Sequence, residues 1–171
     1  MPDQLKHVDP NIPRSFFSRG YAQFSSTRAG RFVSRNIVWK VDPHVLRASR
    51  GRVGMGLLIP TALLETRGAK SGKLRRNGVI YFHDGDRTTI IASRAGDSKH
   101  PAWFHNLKAN PTVKLGGVAM RAVVIDDHAE QQRLWTLADR VFAPYAKYRR
   151  DAAKANRTIP IVQLVARDAD A

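Results

Sequence analysis

The chain has 171 residues, of which 29 are Lys or Arg and 14 are Asp or Glu, so its formal net charge is +15. This length suits one domain, and so large a positive charge attracts anions such as nucleic acid, anionic lipid or a polyanionic small molecule. Because the chain has no cysteine, disulfides, thiolate zinc sites and cysteine nucleophiles are excluded, and a cytoplasmic protein is favoured over a secreted one.

Residues 1–50 form a basic segment in which aromatic and aliphatic side chains are interspersed with Arg and Lys. Two short amphipathic helices are predicted here, which could cover the domain's own core, lie on an anionic membrane surface or contact a second subunit in a homodimer. No signal peptide or membrane span is expected, because no apolar run is long enough. We therefore expect a cytoplasmic protein, with peripheral attachment to the inner face of the membrane as an open alternative.

Residues 51–171 are predicted to form the folded domain. Runs rich in Val, Ile, Tyr and Phe predict six strands, over residues 57–66, 77–83, 88–93, 113–115, 120–125 and 159–165. Asp84-Gly85-Asp86 and Gly116-Gly117 predict tight hairpin turns, because glycine readily adopts the positive φ angles that such turns need. A short helix is predicted over residues 101–109, and a long C-terminal helix is predicted around Leu134 to Phe142, interrupted by Pro144.

The order of these elements predicts the fold class. Hairpins without alternating helical crossovers favour an antiparallel barrel over a doubly wound sheet. The expected fold is therefore α+β, a barrel of mainly antiparallel strands with N-terminal helices and a long C-terminal helix, in one domain overall.

The segment 67–76 carries five cations in ten residues. Gly68 and Gly72 allow the backbone to bend, so that N–H groups and the Ser71 hydroxyl can converge on one anion, as in a phosphate-binding loop. The G-x-x-x-x-G-K-[ST] spacing of the nucleotide-binding P-loop is absent. From composition alone, a solvated basic hairpin loop is an equal alternative.

The predicted helix over residues 101–109 places Trp103, Asn106 and Leu107 on one face. An indole beside a carboxamide suits a planar heterocycle with polar edges. Core packing of Trp103 and a capping role for Asn106 are the alternative. The six histidines are dispersed without metal-ligand spacing, so no metal site is predicted, and no serine lies in a G-x-S-x-G motif.

Four blocks together resemble one known family. They are LETRGAKSG at 64–72, YFHDGDR at 81–87, IASR at 91–94 and HPAWFHNLKANP at 100–111, followed by RTIPIV at 157–162. The family is that of the deazaflavin (F420)-dependent nitroreductases, and the resemblance covers residues 54–165. Its most specific part is the P-x-W-x-x-N-L-x-A-N-P block.

The resemblance implies a split β-barrel like those of FMN-binding and pyridoxamine-oxidase-like proteins. It also implies coenzyme F420, an 8-hydroxy-5-deazaflavin with a phosphate and a γ-glutamate tail, with FMN as the alternative cofactor. The cofactor-binding residues that it implies are Lys70, Ser71, Gly72 and Arg75 for the phosphate and tail, Ala92, Ser93 and Arg94 along the cofactor, and Trp103 and Asn106 on the bracing helix.

Two further expectations come from the same resemblance. Tyr145 and Tyr148 match a region that contacts the electron acceptor, where a phenol could donate a proton or orient a carbonyl; plain packing is the alternative role. Ala69 and Arg94 depart from the family pattern, because relatives commonly carry a basic residue and a lysine at these two positions.

The expected function is therefore hydride transfer from reduced F420 to a small-molecule acceptor such as a quinone, an enone or a nitroaromatic. A non-catalytic cofactor or lipid carrier of the same fold is the first alternative. A basic binder of nucleic acid or membrane surfaces is the second, although no nucleic acid partner is expected.

Overall fold

The computed structural model describes residues 5–12 and 59–166. The predicted N-terminal helices within residues 1–50, and the start of the first predicted strand, lie outside the described residues. The elements are β1 Thr61–Arg67, β2 Leu74–Asp84, β3 Arg87–Ile91, α1 Ala102–Ala109, β4 Thr112–Leu115, β5 Val118–Val124, α2 His128–Val141, α3 Tyr145–Ala153 and β6 Ile161–Ala166.

The six strands form a closed barrel in the order β1-β2-β3-β6-β5-β4, with β1 paired to β4. Every pairing is antiparallel, which confirms the predicted fold class. The two predicted hairpin turns join β2 to β3 and β4 to β5, and Gly85, Gly116 and Gly117 all have positive φ angles. Closure removes the free strand edges that an open sheet would expose.

The interior of the barrel follows from the alternation of side chains along each strand. In β1, Ala62, Leu64 and Thr66 are buried while the residues between them are partly exposed, as expected for a strand with one face toward the core. The largest fully buried side chains include Phe82, Leu115 and Leu164 from three other strands. The barrel is thus filled by its own apolar side chains.

The structure corrects several predicted boundaries. β3 ends at Ile91 rather than Ser93, because the Ser93 N–H bonds back to the Ile91 carbonyl and the chain leaves the sheet. Helix α1 begins at Ala102, with Pro101 as its N-cap. β6 begins at Ile161, because Pro160 has no N–H for the ladder.

The long C-terminal helix is present as two helices. Asp127 caps α2 by accepting a hydrogen bond from the Glu130 N–H at 2.7 Å. The helix then stops at Phe142, and Pro144 becomes the N-cap of α3. A proline cannot donate to the preceding turn and its ring disfavours helical continuation, so the interruption predicted at Pro144 is a complete break.

Residues 5–12 pack against the barrel at β2. The backbone N–H of Val8 donates to Nδ1 of the His83 ring at 3.0 Å, and the backbone N–H of His83 donates to the Val8 carbonyl at 2.8 Å. The Tyr81 hydroxyl donates to the Lys6 carbonyl at 3.0 Å. Within residues 5–12 and 59–166, no helix is long and apolar enough to cross a membrane.

Candidate functional site

The segment 67–76, called here the cationic turn, consists of the last residue of β1, the loop 68–73 and the first three residues of β2, because β2 begins at Leu74 rather than at the predicted residue 77. The Gly68 N–H donates to the Lys73 carbonyl at 2.9 Å, and the Gly72 N–H donates to the Gly68 carbonyl at 2.8 Å. Gly72 adopts a φ of 63°, a left-handed conformation that glycine tolerates without steric cost. The turn is therefore closed by its own backbone, so its side chains project from a defined frame.

Gly68 brings the polar side chains of the cationic turn together. A Cβ at this position would lie 2.7 Å from Ser71 Oγ and 3.8 Å from Arg75 Nε. Two of the predicted phosphate ligands, Ser71 and Arg75, therefore lie beside Gly68 together with the Lys73 carbonyl, and a side chain at position 68 would collide with the serine. The surface beside Gly68, called here the anion cradle, presents two groups that can donate to an anion, the Ser71 hydroxyl and the Arg75 guanidinium.

The cations of this turn differ in whether they have a carboxylate partner. Arg76 is paired with Glu65 at 2.7 Å. The other four cations are exposed and form no salt bridge with any residue in the described parts of the chain: Arg67, Lys70, Lys73 and Arg75. Four uncompensated cations so close together in the chain repel one another, and an anion would relieve that repulsion.

Helix α1 is tied to the cationic turn through Asn106. Its Oδ1 accepts a hydrogen bond from the Ala69 N–H at 3.0 Å, and its Nδ2 donates to Thr66 Oγ1 at 3.1 Å. The side chain of Trp103, on the same helix face, is buried in the core. Asn106 thus bridges two elements rather than capping its own helix, and Trp103 anchors α1 in the core.

The residues predicted to lie along the cofactor, Ala92, Ser93 and Arg94, are located between β3 and α1. Ala92 and Ser93 are buried, whereas the Arg94 side chain is exposed. Arg94, Ala95 and Gly96 have φ angles of 47°, 53° and 77°. Two adjacent non-glycine residues in the left-handed region store strain, which surrounding structure must hold and which is common at ligand sites.

Arg157 lies at the start of the RTIPIV block and is not among the residues predicted for the site. Its side chain is 7% exposed and contacts residues 92–100 at four points. Nε donates to His100 Nδ1 at 3.0 Å, Nη1 donates to the Ser93 and Asp97 carbonyls at 3.0 and 2.6 Å, and Nη2 donates to the Ala92 carbonyl. Only the tertiary structure shows this, because the acceptors are mostly backbone atoms far away in sequence.

His100 is held as a hydrogen-bond acceptor by this arrangement. Burial lowers the pKa of its imidazole below 6.5, and the positive charges of Arg157, His105 and Lys108 lower it further. A neutral ring leaves Nδ1 free to accept from Arg157. The neutral state of His100 and the position of Arg157 therefore support each other.

Tyr145 and Tyr148 lie in an aromatic cluster at the start of α3. The Tyr145 ring is 5.1 Å from that of Phe142 and 6.1 Å from that of Trp135. Tyr145 is 2% exposed, and burial raises the pKa of its phenol well above the usual range. Tyr148 packs against the segment 92–97, because a Cβ on Gly96 would lie 3.0 Å from the Tyr148 Cα.

The fold thus brings the predicted residues together in two clusters that α1 connects. One is the cationic turn with Asn106, and the other is the segment 92–97 with Arg157 and α3. Helix α1 begins at Ala102, two residues after His100, whose ring accepts from Arg157 of the second cluster. It reaches the first cluster through Asn106. Among the described residues there is no cluster of His, Cys, Asp or Glu able to hold a metal ion.

Comparison with known proteins gives consistent matches. The model of a family described as F420H(2)-dependent quinone reductase matches residues 39–166. An F420H(2)-dependent quinone reductase of Mycobacterium tuberculosis strain H37Rv is 35% identical over 148 residues, covering 80% of this chain and 97% of that protein.

Two solved structures are also similar to this chain. An F420-H2 dependent reductase is 34% identical with a TM-score of 0.53, covering 61% of this chain and 93% of that one. A second chain, described as a domain-swapped dimer, is 30% identical with a TM-score of 0.54, covering 73% of this chain and 96% of that one.

Proposed function

Because this chain belongs to the F420H(2)-dependent quinone reductase family, we propose that it is an enzyme that uses reduced coenzyme F420 to reduce an electron-poor small molecule. A quinone is the preferred acceptor, with enones and nitroaromatics as further candidates. The observation that carries this proposal is the cationic turn, in which four of five cations form no salt bridge within the described residues, and in which Ser71 and Arg75 lie beside Gly68.

The donors in this turn suit the anionic part of the cofactor. A phosphate and carboxylates need cations and directional N–H or O–H donors. Lys70, Ser71 and Arg75 supply an ammonium, a hydroxyl and a guanidinium, and the backbone turn at Gly72 sets their spacing. Asn106 keeps this turn against α1. We infer that these residues bind the phosphate and tail.

The ring end of the cofactor is assigned to the second cluster. When bound, coenzyme F420 supplies the hydride for the reaction. We infer that Ala92, Ser93 and Arg94 lie along the cofactor, and that Trp103 and Asn106 brace it through α1. The buried Trp103 side chain gives α1 a rigid attachment to the core, so this support is fixed before any ligand binds.

Tyr145 and Tyr148 are the residues proposed to contact the acceptor. The raised pKa of the Tyr145 phenol keeps its proton in place at all ordinary pH values, so it could act only as a hydrogen-bond donor or acceptor and not as a phenolate base. Tyr148 is the better placed of the two, because its backbone touches the segment 92–97 at Gly96.

The binding half of the proposal is tested by quenching of F420 fluorescence. Lys70→Ala and Arg75→Ala should each weaken binding about tenfold, the effect of losing one charge-assisted hydrogen bond. Arg76→Ala is the matched control, because it removes an equal charge from the same turn but from a residue already paired with Glu65. It should change the dissociation constant less than about twofold. Absence of quenching by the wild-type protein at micromolar concentration would reject the proposal.

Turnover separates an enzyme from a cofactor carrier. The wild-type protein should oxidise reduced F420 in the presence of a soluble quinone such as menadione, with many turnovers per protein. Parallel assays with an enone and a nitroaromatic rank the acceptor classes. Tight binding without turnover on any of them would favour the carrier alternative.

Two partner predictions complete the proposal. We propose a homodimer, supported by a relative described as a domain-swapped dimer, and light scattering during gel filtration measures it. Attachment to an anionic membrane through residues 1–50 stays a prediction, because most of that segment lies outside the described residues. Co-sedimentation of the full chain with anionic but not neutral vesicles would support it.

A further inference from the structure

We propose that Arg157 is a positioning residue of the F420 site, fixing the backbone of residues 92–100 in the shape that receives the ring end of the cofactor. This inference rests on the proposed function. The four side-chain hydrogen bonds of Arg157 described above reach neither the cationic turn nor the two tyrosines proposed to contact the acceptor. Its side chain is buried behind the segment it holds.

The contacts of Arg157 are spread along the whole segment. Its guanidinium reaches Ala92 and Ser93 at the beginning, Asp97 in the middle and His100 at the end, directly before α1. Four acceptors in this arrangement need a planar group with several fixed N–H donors. Lysine, with one nitrogen, could satisfy only part of this set.

The segment that Arg157 holds is under strain. Arg94 and Ala95 both have positive φ angles without being glycine, a conformation that persists only when neighbouring structure holds it. The carbonyls fixed by Arg157 lie on both sides of these two residues. Without the guanidinium, the segment would keep its local hydrogen bonds, from the Gly96 and Asp97 N–H groups and from the exposed Arg94 side chain to the His100 carbonyl, but would lose the buried side chain that holds it from the far side.

The backbone of Arg157 is itself held by the end of α3. Its backbone N–H donates to the Ala152 carbonyl at 3.0 Å, at the end of α3. Asn156, with a φ of 52°, turns the chain out of that helix. Three residues later, the Pro160 carbonyl accepts from the Ala92 N–H at 3.0 Å. The segment 157–160 therefore holds the carbonyls of Ala92 and Ser93 through the Arg157 side chain, and the N–H of Ala92 through the Pro160 carbonyl.

This placement predicts a specific binding defect. Lys70 and Arg75 are exposed to solvent, so their attraction for the anionic tail weakens as salt screens it. Arg157 acts through buried hydrogen bonds on the shape of the site, which salt screens little. Loss of Arg157 should therefore weaken F420 binding by a factor that does not depend on salt, whereas the factor for Lys70→Ala should shrink at high salt.

The experiment measures F420 dissociation constants by fluorescence at about 0.05 and 0.5 M NaCl, where the screening length falls from roughly 14 to 4 Å. Arg157→Lys should weaken binding about tenfold at both concentrations. Arg133→Lys is the matched control, because Arg133 also makes several charged hydrogen bonds, but to Asp84 and Glu130. It should lower the melting temperature without changing the dissociation constant. All measurements are made well below the melting temperatures.

His100→Ala provides a second variant in case Arg157→Lys does not fold, since it removes one acceptor and leaves the arginine in place. It should weaken binding about threefold, again at both salt concentrations. Wild-type-like binding by the folded variants would overturn the inference alone, as would a defect that disappears at high salt. Failure of the wild-type protein to bind F420 would overturn the proposed function and this inference together.

Discussion

The carboxamide oxygen of Asn106 accepts a hydrogen bond from the backbone N–H of Ala69 at 3.0 Å. These residues lie on α1 and in the cationic turn, 37 positions apart in the chain. Asn106 is buried, and its amide nitrogen is satisfied by the buried hydroxyl of Thr66. The Asn106 side chain, which could have capped its own helix, therefore sets the position of the proposed phosphate-binding turn.

Asn106→Ala should weaken both the fold and cofactor binding. The free energy of unfolding should fall by about 1–3 kcal/mol, because the buried Thr66 hydroxyl loses its partner. The F420 dissociation constant should rise about tenfold, because the turn is no longer held at Ala69. Urea denaturation and fluorescence titration measure the two effects.

Thr66→Val provides the control for Asn106→Ala. It removes the hydroxyl at nearly constant volume but leaves the Ala69 hydrogen bond in place. We expect a loss of stability of about 1 kcal/mol with F420 binding changed less than about threefold. Equal binding defects in the two variants would show that the Ala69 contact is not what positions the turn.

Gly68→Ala should disturb the anion cradle while preserving the fold. The new methyl group would lie 2.7 Å from Ser71 Oγ, so the serine side chain must rotate away and the space for an anion shrinks. We expect F420 binding about three- to tenfold weaker with a nearly unchanged melting temperature. Gly85→Ala should do the reverse, because its φ of 58° penalises alanine by about 1–2 kcal/mol in a turn far from the cationic segment.

Much of the barrel could be predicted because its signals are local. The Asp-Gly turn at Gly85 and the break at Pro144 each depend on a few neighbouring residues, and the structure confirms both. The boundaries were less accurate. Ser93 has a sequence compatible with a strand, but only the tertiary structure shows that β3 ends before it.

The candidate site was harder to predict because its support is long-range. The cationic turn was visible as a charge cluster, yet its attachment to Asn106 joins residues that no local pattern connects. Arg157 was missed for the same reason, since it resembles any other basic residue in a chain with 29 of them. Its burial and its carbonyl acceptors exist only once α3 packs against the segment 92–97.

Replacing the proposed acceptor tyrosines should separate turnover from cofactor binding. Tyr148→Phe should lower kcat/KM for menadione about tenfold or more if its hydroxyl orients the acceptor, with the F420 dissociation constant unchanged. Tyr145→Phe serves as the comparison, because its ring is buried between Trp135 and Phe142, and it should have the smaller effect. The high pKa of the Tyr145 phenol also predicts that its ionisation does not contribute to the pH profile of turnover below about pH 9. Wild-type turnover in both variants would leave these residues a packing role only.

The contact between His83 and residues 5–12 should make stability depend on pH. Burial lowers the pKa of His83 below 6.5, and the neighbouring His7 ring, with its centroid 4.6 Å away, lowers it further. Because the unfolded chain then binds more protons than the folded one, stability is present above about pH 6.5 and is lost as the pH falls through the lower folded pKa. The melting temperature should therefore drop between about pH 7.5 and 5.

His83→Asn keeps an oxygen near the Nδ1 position to accept from the Val8 N–H, yet cannot titrate, so its melting temperature should fall at least about 1 °C less over this range. His100, whose pKa is also lowered, accounts for part of the remaining slope. Identical pH profiles for wild type and His83→Asn would show that His83 titrates alike in the folded and unfolded chains.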